Sequence, residues 1–501
     1  MRVPSVLVSF VCVLAAACGS VEKLNGDGGG GDDGGSGSDG GSDGGGDTSG
    51  GYKSGTRLKY EWYEFNGVKL PYAIYDSQLQ FLCQTVATDD TQTAVICVPQ
   101  SSAQVVYSDA SCTTRVAMTP TNTSCPQTAP GYGIDENYDG CTEIVTGVYP
   151  VSNTTPTSLA SYYTKNTNGT CGLAQDGSEY TFYPLGSATD LASYAKITLP
   201  TQAHSGNRLT QELATSPDGF TLPSGFYDST LMTTCNLNAP WNTADHAQCT
   251  PQPQAYDDYY SNSVCTSHVA EYSSSCPGAT APKYAYYYDE TQTCPYRDEE
   301  FDSITGQGVA ASTAYYESGG QCYQTSLGSG STLYPTDGAV VGVANVPRAP
   351  DSTGHTVEQV HMTDGANKYL DFTMYDTTHH TYCYPQVIAD GSTHCLNQQY
   401  QTQQFYTDAA CSASADFVLV YAVPQGCTEV DPPTYAIKYT NQQSCTGNSI
   451  EIHQVTQIFS GTLYQNFGTC QPQSFSGNVV YQVGSTLPIS EFPAATLSTD
   501  P

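Results

Sequence analysis

Eighteen of the chain's twenty cysteines fall into three series of six, and this spacing limits what the chain can fold into. The series are Cys83, Cys97, Cys112, Cys125, Cys141, Cys171; Cys235, Cys249, Cys265, Cys276, Cys294, Cys322; and Cys383, Cys395, Cys411, Cys427, Cys445, Cys470. Their first members lie 152 and then 148 residues apart, and the gaps within each series match closely, so the chain is a triplication. No pair has C-x-x-C spacing and no Cys/His cluster occurs, which argues against zinc. An even count in an exported chain reads as a disulfide framework. Six cysteines allow fifteen connectivities. Asp89-Asp90 and Asp390-Gly391 sit midway between the first two cysteines of repeats one and three and mark hairpin turns. A hairpin there sets the first cysteine opposite the second: Cys83–Cys97, Cys235–Cys249 and Cys383–Cys395. Neighbour pairing extended along the series predicts Cys112–Cys125, Cys265–Cys276 and Cys411–Cys427, then Cys141–Cys171, Cys294–Cys322 and Cys445–Cys470. Each bridge is worth roughly 3 kcal/mol through restriction of the unfolded chain, which matters in a chain only 38% hydrophobic.

Other residues repeat in phase. Tyr75-Asp76-Ser77, Tyr227-Asp228-Ser229 and Tyr375-Asp376-Thr377 precede the first cysteines, and Tyr107, Tyr260 and Tyr406 precede the third. A Tyr-turn-Cys figure leads to each sixth cysteine. The threefold Asp is expected to hold a turn by accepting backbone N–H groups. Short segments rich in Tyr, Val, Thr and Ile alternate with Asp-Gly, Asn-Gly and Ser-Asp turns, the pattern of antiparallel hairpins. With 39 Tyr and sparse helix formers, the expected class is all-β. Three tandem repeats of about 150 residues are expected over 55–203, 204–350 and 351–490, with a tail over 491–501. A single propeller-like ring, which closes its own edges, is the favoured arrangement. Three separate small β-domains in tandem are the alternative.

The N-terminus reads as an export signal. Arg2 precedes an apolar run from Val3 to Ala17 that is too short for a membrane span. Its end, Leu14-Ala15-Ala16-Ala17-Cys18-Gly19, resembles a bacterial lipobox, although Leu14 lies one place further from the cysteine than the motif asks. The resemblance implies removal of residues 1–17, lipid on Cys18 and, with Gly19 following, the outer membrane. Residues 18–54 are then a tether. From Gly26 to Gly51 it is nearly pure Gly, Asp and Ser, which cannot build a core and should be disordered. Its reach is on the order of 30 Å.

The phrases Ser54-Gly55-Thr56-Arg57-Leu58 and Ser205-Gly206-Asn207-Arg208-Leu209, with Tyr75-Asp76 ahead of Cys83 and the figure Tyr107-Ser108-Asp109-Ala110-Ser111-Cys112, carry a family resemblance. The chain resembles uncharacterised Cys-rich, Tyr-rich outer-membrane lipoproteins of myxobacterium-like Gram-negative bacteria. The third repeat keeps only the looser Ser352-Thr353-Gly354-His355-Thr356-Val357. The resemblance implies location and fold, and no activity.

Chemistry is harder to find. Fifteen Lys+Arg against 48 Asp+Glu give a formal charge of −33, which argues against nucleic acid and anionic lipid as partners. No nucleophile elbow, H-E-x-x-H or P-loop is present. Asp135, Asn137 and Asp139 fit the first half of a calcium loop, but Thr146 stands where the bidentate Glu belongs. Calcium is a weak candidate and no other cofactor is expected. The sequence therefore predicts a non-enzymatic surface lipoprotein. It would bind an extracellular glycan, envelope polymer or protein through a Tyr-rich face, or serve as a structural coat. The competing expectation is a secreted hydrolase or lyase. An enzyme on a repeat scaffold should show polar residues in one repeat that the other two lack.

Overall fold

The structure, a computed structural model, describes residues 22–23 and 51–501, apart from 90–92, 101, 122–127, 139–142, 166–168, 201–207, 239–245, 274–280, 289–298, 329, 365–366, 398–399, 422–432, 441–446 and 476–477. The signal region, Cys18 and most of the tether lie outside the described residues, as do the fourth and fifth cysteines of every series; the tether's expected end at 54 is corrected, since Tyr52 is buried in the core and Lys53 pairs with Thr221. Among the described residues the fold is all-β, with three short 3-10 turns and no α-helix.

Each repeat gives five strands to one closed circuit. Repeat one supplies Leu58–Phe65, Val68–Asp76, Phe81–Ala87, Ala94–Pro99 and, about 100 residues later, Lys196–Thr198. Repeat two supplies Leu209–Thr215, Thr221–Asp228, Thr233–Asn238, His246–Gln252 and Asn345–Pro350. Repeat three supplies Val357–Thr363, Asn367–Asp376, Thr381–Val387, Thr393–Leu396 and Ala494–Thr499, so the expected tail over 491–501 is corrected: it carries the ring's closing strand. All pairings along the circuit are antiparallel. The fifth strand of each repeat bonds the fourth of its own and the first of the next: Lys196–Thr198 lies between Ala94–Pro99 and Leu209–Thr215, and Asn345–Pro350 between His246–Gln252 and Val357–Thr363. The last strand, Ala494–Thr499, returns to the first, with Glu61 opposite Thr499 and Glu64 opposite Thr496. The repeats are thus hydrogen-bonded into one ring. The joints between repeats are short, down to the single pair Thr198 and Thr215, and the bonding runs on from repeat to repeat.

Apolar residues from different repeats meet inside this ring. Leu58, Tyr60 and Trp62 alternate inward on their strand and pack with Phe220 of repeat two and Leu370 of repeat three. Tyr63, Phe65 and Leu70 pack with Val357 and Met374 across the closing joint. Tyr60 stacks on Phe220 at 4.8 Å between ring centroids. The cores are shared between repeats, unlike those of domains strung in tandem.

Between its fourth and fifth ring strands each repeat inserts a small barrel. In repeat two Gln254–Tyr260 pairs with His268–Ser273, which pairs with Ser331–Val340, then Glu299–Ile304, then Tyr284–Tyr288, which returns in parallel to Gln254–Tyr260. Repeats one and three follow the same order, each completed by isolated bridges such as Val148–Thr189 and Gln401–Ile437. A further hairpin leans on every barrel through one tyrosine pair: Tyr163 opposite Tyr107, Tyr315 opposite Tyr260, Tyr464 opposite Tyr406.

The disulfides follow this plan. Cys83–Cys97, Cys235–Cys249 and Cys383–Cys395 bridge the second hairpin of each ring unit, with Cα separations of 5.0 to 5.3 Å, and are buried in its core. The remaining expectation is corrected. Cys112 bonds Cys171, Cys265 bonds Cys322 and Cys411 bonds Cys470, third with sixth, at 5.7 Å between Cα atoms. The pairs Cys112–Cys125, Cys265–Cys276, Cys411–Cys427, Cys141–Cys171, Cys294–Cys322 and Cys445–Cys470 are therefore excluded. The cause is local. Each third cysteine sits at a turn apex in the left-handed region, with φ of 51°, 49° and 51°. That places it beyond the strand where a neighbour on the same hairpin would meet it. The extra hairpin instead brings the sixth cysteine there. These loops span 57 to 59 residues, so each constrains the unfolded chain by about 4 kcal/mol, against about 3 for the 12- to 14-residue loops. The six disulfides among the described residues mark an exported protein. Among the described residues no helix is long and apolar enough to cross a membrane.

Candidate functional site

The threefold plan makes departures from it visible, and the second repeat departs most. Its extra hairpin, Thr313–Ser318 with Gln321–Ser326, turns through Gly319-Gly320 at φ +59° and +75°. Two successive positive φ values define the tight turn that suits strand twist, and glycine adopts them at least cost. This register sets Tyr316 directly opposite Tyr323. Their rings lie 5.7 Å apart at 29°, 38% and 43% exposed. Ser318 and Gln321 share their face because strand side chains alternate. The Tyr323 hydroxyl donates to Gln321 Oε1 at 2.8 Å. The opposite face carries Cys322, bonded to Cys265 on the barrel turn. The tyrosines thus stand on a hairpin anchored from behind. Counterpart positions hold Thr164 opposite Gly172 in repeat one and Gln465 opposite Gln471 in repeat three.

The second departure lies inside the same barrel. Asp302 faces Ala285, where Tyr149 faces Gly133 and His453 faces Ala436 in the other two barrels. Asp257 and Asp258 occupy a register shift between Tyr256 and Tyr259, with two residues where repeat one has Val105 alone. Asp257 and Asp302 are 7% and 4% exposed. Asp257 accepts from the Thr336 hydroxyl at 2.9 Å. Burial, followed by the charge of Asp257, pushes Asp302 up to about 6. Burial likewise raises Asp257 above the ordinary carboxylate range.

The residues singled out by sequence are placed differently. Asp135 accepts from Arg115 Nε at 3.1 Å, and that guanidinium also lies over the rings of Tyr107 and Tyr149. Asn137 is exposed, and Asp139 lies outside the described residues. Among the described residues no three His, Cys, Asp or Glu side chains gather as metal ligands. The recurring aspartates Asp76, Asp228 and Asp376 are fully buried, and each accepts from two backbone N–H groups of its own turn. Arg57 and Arg208 clamp the first two, at 2.6 and 3.0 Å. Each also donates to the carbonyl of Ser193 or Gly342, in the segment leading to its fifth ring strand. In repeat three Thr356 stands in the arginine's place. There His379 Nδ1 meets Asp376 at 2.7 Å, and its ring stacks at 4.4 Å on Phe492, again just ahead of the fifth strand.

Sequence reasoning missed Asp257, Asp302, Tyr316 and Tyr323 as a group. A position-by-position comparison of the three repeats carries the signal: an additional Asp ahead of Tyr260, and two tyrosines where the other repeats have Thr, Gly or Gln.

The chain belongs to a family of unknown function (DUF7481), whose model matches residues 40–492. No curated protein and no solved structure matches it.

Proposed function

We propose that this member of the DUF7481 family is a lipid-anchored surface protein whose second repeat binds an uncharged extracellular glycan. The observation that carries the reading is the exposed pair Tyr316 and Tyr323 on a hairpin held from behind by Cys265–Cys322. Two aromatic rings flanked by Ser318 and Gln321 offer apolar surface to sugar C–H faces and polar groups to sugar hydroxyls. A net charge of −33 disfavours anionic polymers. The lipobox-like run ending at Cys18 supports anchoring, in the outer membrane on the reading of Gly19, and the Gly/Asp/Ser segment supports display away from the lipid. The hydrolase or lyase reading needs an acid and base that a substrate can reach, and the asymmetric carboxyl pair is almost wholly buried.

A glycan array probed with the exported chain tests the reading. Binding to neutral glycans should fall about tenfold or more in the double variant Tyr316→Ala, Tyr323→Ala. It should be unchanged in Tyr72→Ala, an exposed tyrosine on the ring. Preference for a protein or an anionic polymer, or equal binding by the double variant, would refute the glycan. In cells, Cys18→Ala should move the protein from the membrane fraction to the soluble fraction.

A further inference from the structure

The buried carboxyls of the second barrel have a use independent of the glycan reading. Asp257 and Asp302 lie on Gln254–Tyr260 and Glu299–Ile304, strands joined through Tyr284–Tyr288 on one side and through Ser331–Val340 and His268–Ser273 on the other. Each lies where a ladder slips register, between Tyr256 and Tyr259 and between Asp302 and Ile304. The two carboxyls are within hydrogen-bonding reach of each other. Both Oδ1 atoms are buried, and among the described residues no donor reaches either one. A buried acceptor without a donor is costly, and two buried like charges in contact are more so. One proton shared between the carboxyls removes both penalties at once.

We infer that Asp257 and Asp302 form a proton-operated clasp that tightens the second barrel in acid and releases it towards neutral pH. With the proton in place, one carboxyl donates to the other and the two strands are linked across the barrel. When the proton passes to water, two carboxylates face each other and the strand Gln254–Tyr260 loosens. That strand carries the tyrosine hairpin, through Tyr260 opposite Tyr315. The titratable groups around the pair are His268 from the neighbouring strand, which favours ionisation of the carboxyls, and Asp258 and Asp337, which oppose it. Tyr284–Tyr288 sets Ala285 against Asp302, and Ser331–Val340 supplies the Thr336 hydroxyl.

The direction in pH follows. Both groups ionise at higher pH folded than unfolded, so the folded chain binds the additional proton. The stabilisation is fully present below about 4, the ordinary carboxylate value, and is lost as pH rises through about 6. Hydrogen exchange of the full chain, corrected for intrinsic exchange rates, tests this. Amides of Gln254–Tyr260 and Glu299–Ile304 should exchange about tenfold faster at pH 8 than at pH 5. Those of Ser102–Tyr107 and Thr402–Tyr406 should not change. Asp302→Asn, whose amide donates at every pH, should abolish the difference, and Asp257→Asn should do the same. Infrared difference spectra add a readout that does not depend on either variant folding: a protonated-carboxyl band in the native protein that disappears near pH 6. Equal pH response in all three barrels, persistence of the response in the Asn variants, or absence of the band would overturn the clasp. So would calcium slowing exchange at pH 8 in the native chain and not in Asp302→Asn, which would make the pair a cation site.

Discussion

Asp228 shows what one repeated side chain does. It is fully buried, accepts from the amides of Thr230 and Leu231, and is clamped by Arg208, which reaches on to the Gly342 carbonyl. One carboxylate therefore fixes a hairpin turn and, through arginine, the approach of a strand about 120 residues later. Asp228→Ala removes both and leaves the guanidinium facing a cavity. The expected loss is about 3 kcal/mol, read as a lower urea midpoint at unchanged slope. A change under about 1 kcal/mol would show that the turn holds without its carboxylate. The aspartates were legible in the sequence as turn-formers because they recur three times. Their side-chain partners were not, since repeat three has His379, stacked on Phe492, where the others have arginine, and a stack with a ring 113 positions away leaves no trace in local spacing.

At the scale of the element, the extra hairpins show how far local spacing carries. The Tyr-turn-Cys figure predicts their strands and turns, and Asp390-Gly391 predicts the bridge from Cys383 to Cys395. Neighbour pairing then fails at the third cysteine, because φ near +50° turns Cys112, Cys265 and Cys411 out of their own hairpins. The consequence is testable in repeat two. Cys265→Ser with Cys322→Ser should leave the ring folded, since its own bridge Cys235–Cys249 remains. Exchange of the Thr313–Ser318 amides should rise by at least an order of magnitude, because the hairpin then keeps one backbone pair with its barrel and the small contact of Ala314 with Val269 and Leu333. If those amides stay protected, the hairpin is held by packing and the bridge is incidental.

For the whole molecule, closure is the controlling event. Ala494–Thr499 bonds both Leu58–Phe65 and Thr393–Leu396, and Asp500 accepts from the Ser54 hydroxyl at 2.7 Å. Deleting residues 494–501 would expose two strand edges that the ring otherwise pairs. Open edges recruit other chains, so the truncated protein should form dimers or larger species by light scattering at concentrations where the full chain is monodisperse. A truncated chain that stays monomeric would show that the ring tolerates opening.

Composition and repetition within the chain were enough to determine its strand content, its triplication, the bridge between the first two cysteines of each repeat and the role of the threefold aspartate. The bridge and the turn are short-range properties, set by hairpin geometry over about fifteen residues, whereas strand content and triplication show in composition and in the recurrence of the cysteine spacing itself. Only the tertiary structure decided the third-to-sixth bridges, the ring through which the repeats share their cores, and the meeting of Asp257 with Asp302. Those contacts join segments about 45 to 440 positions apart, and their partners are chosen by which strand edges remain unpaired once the local hairpins have formed.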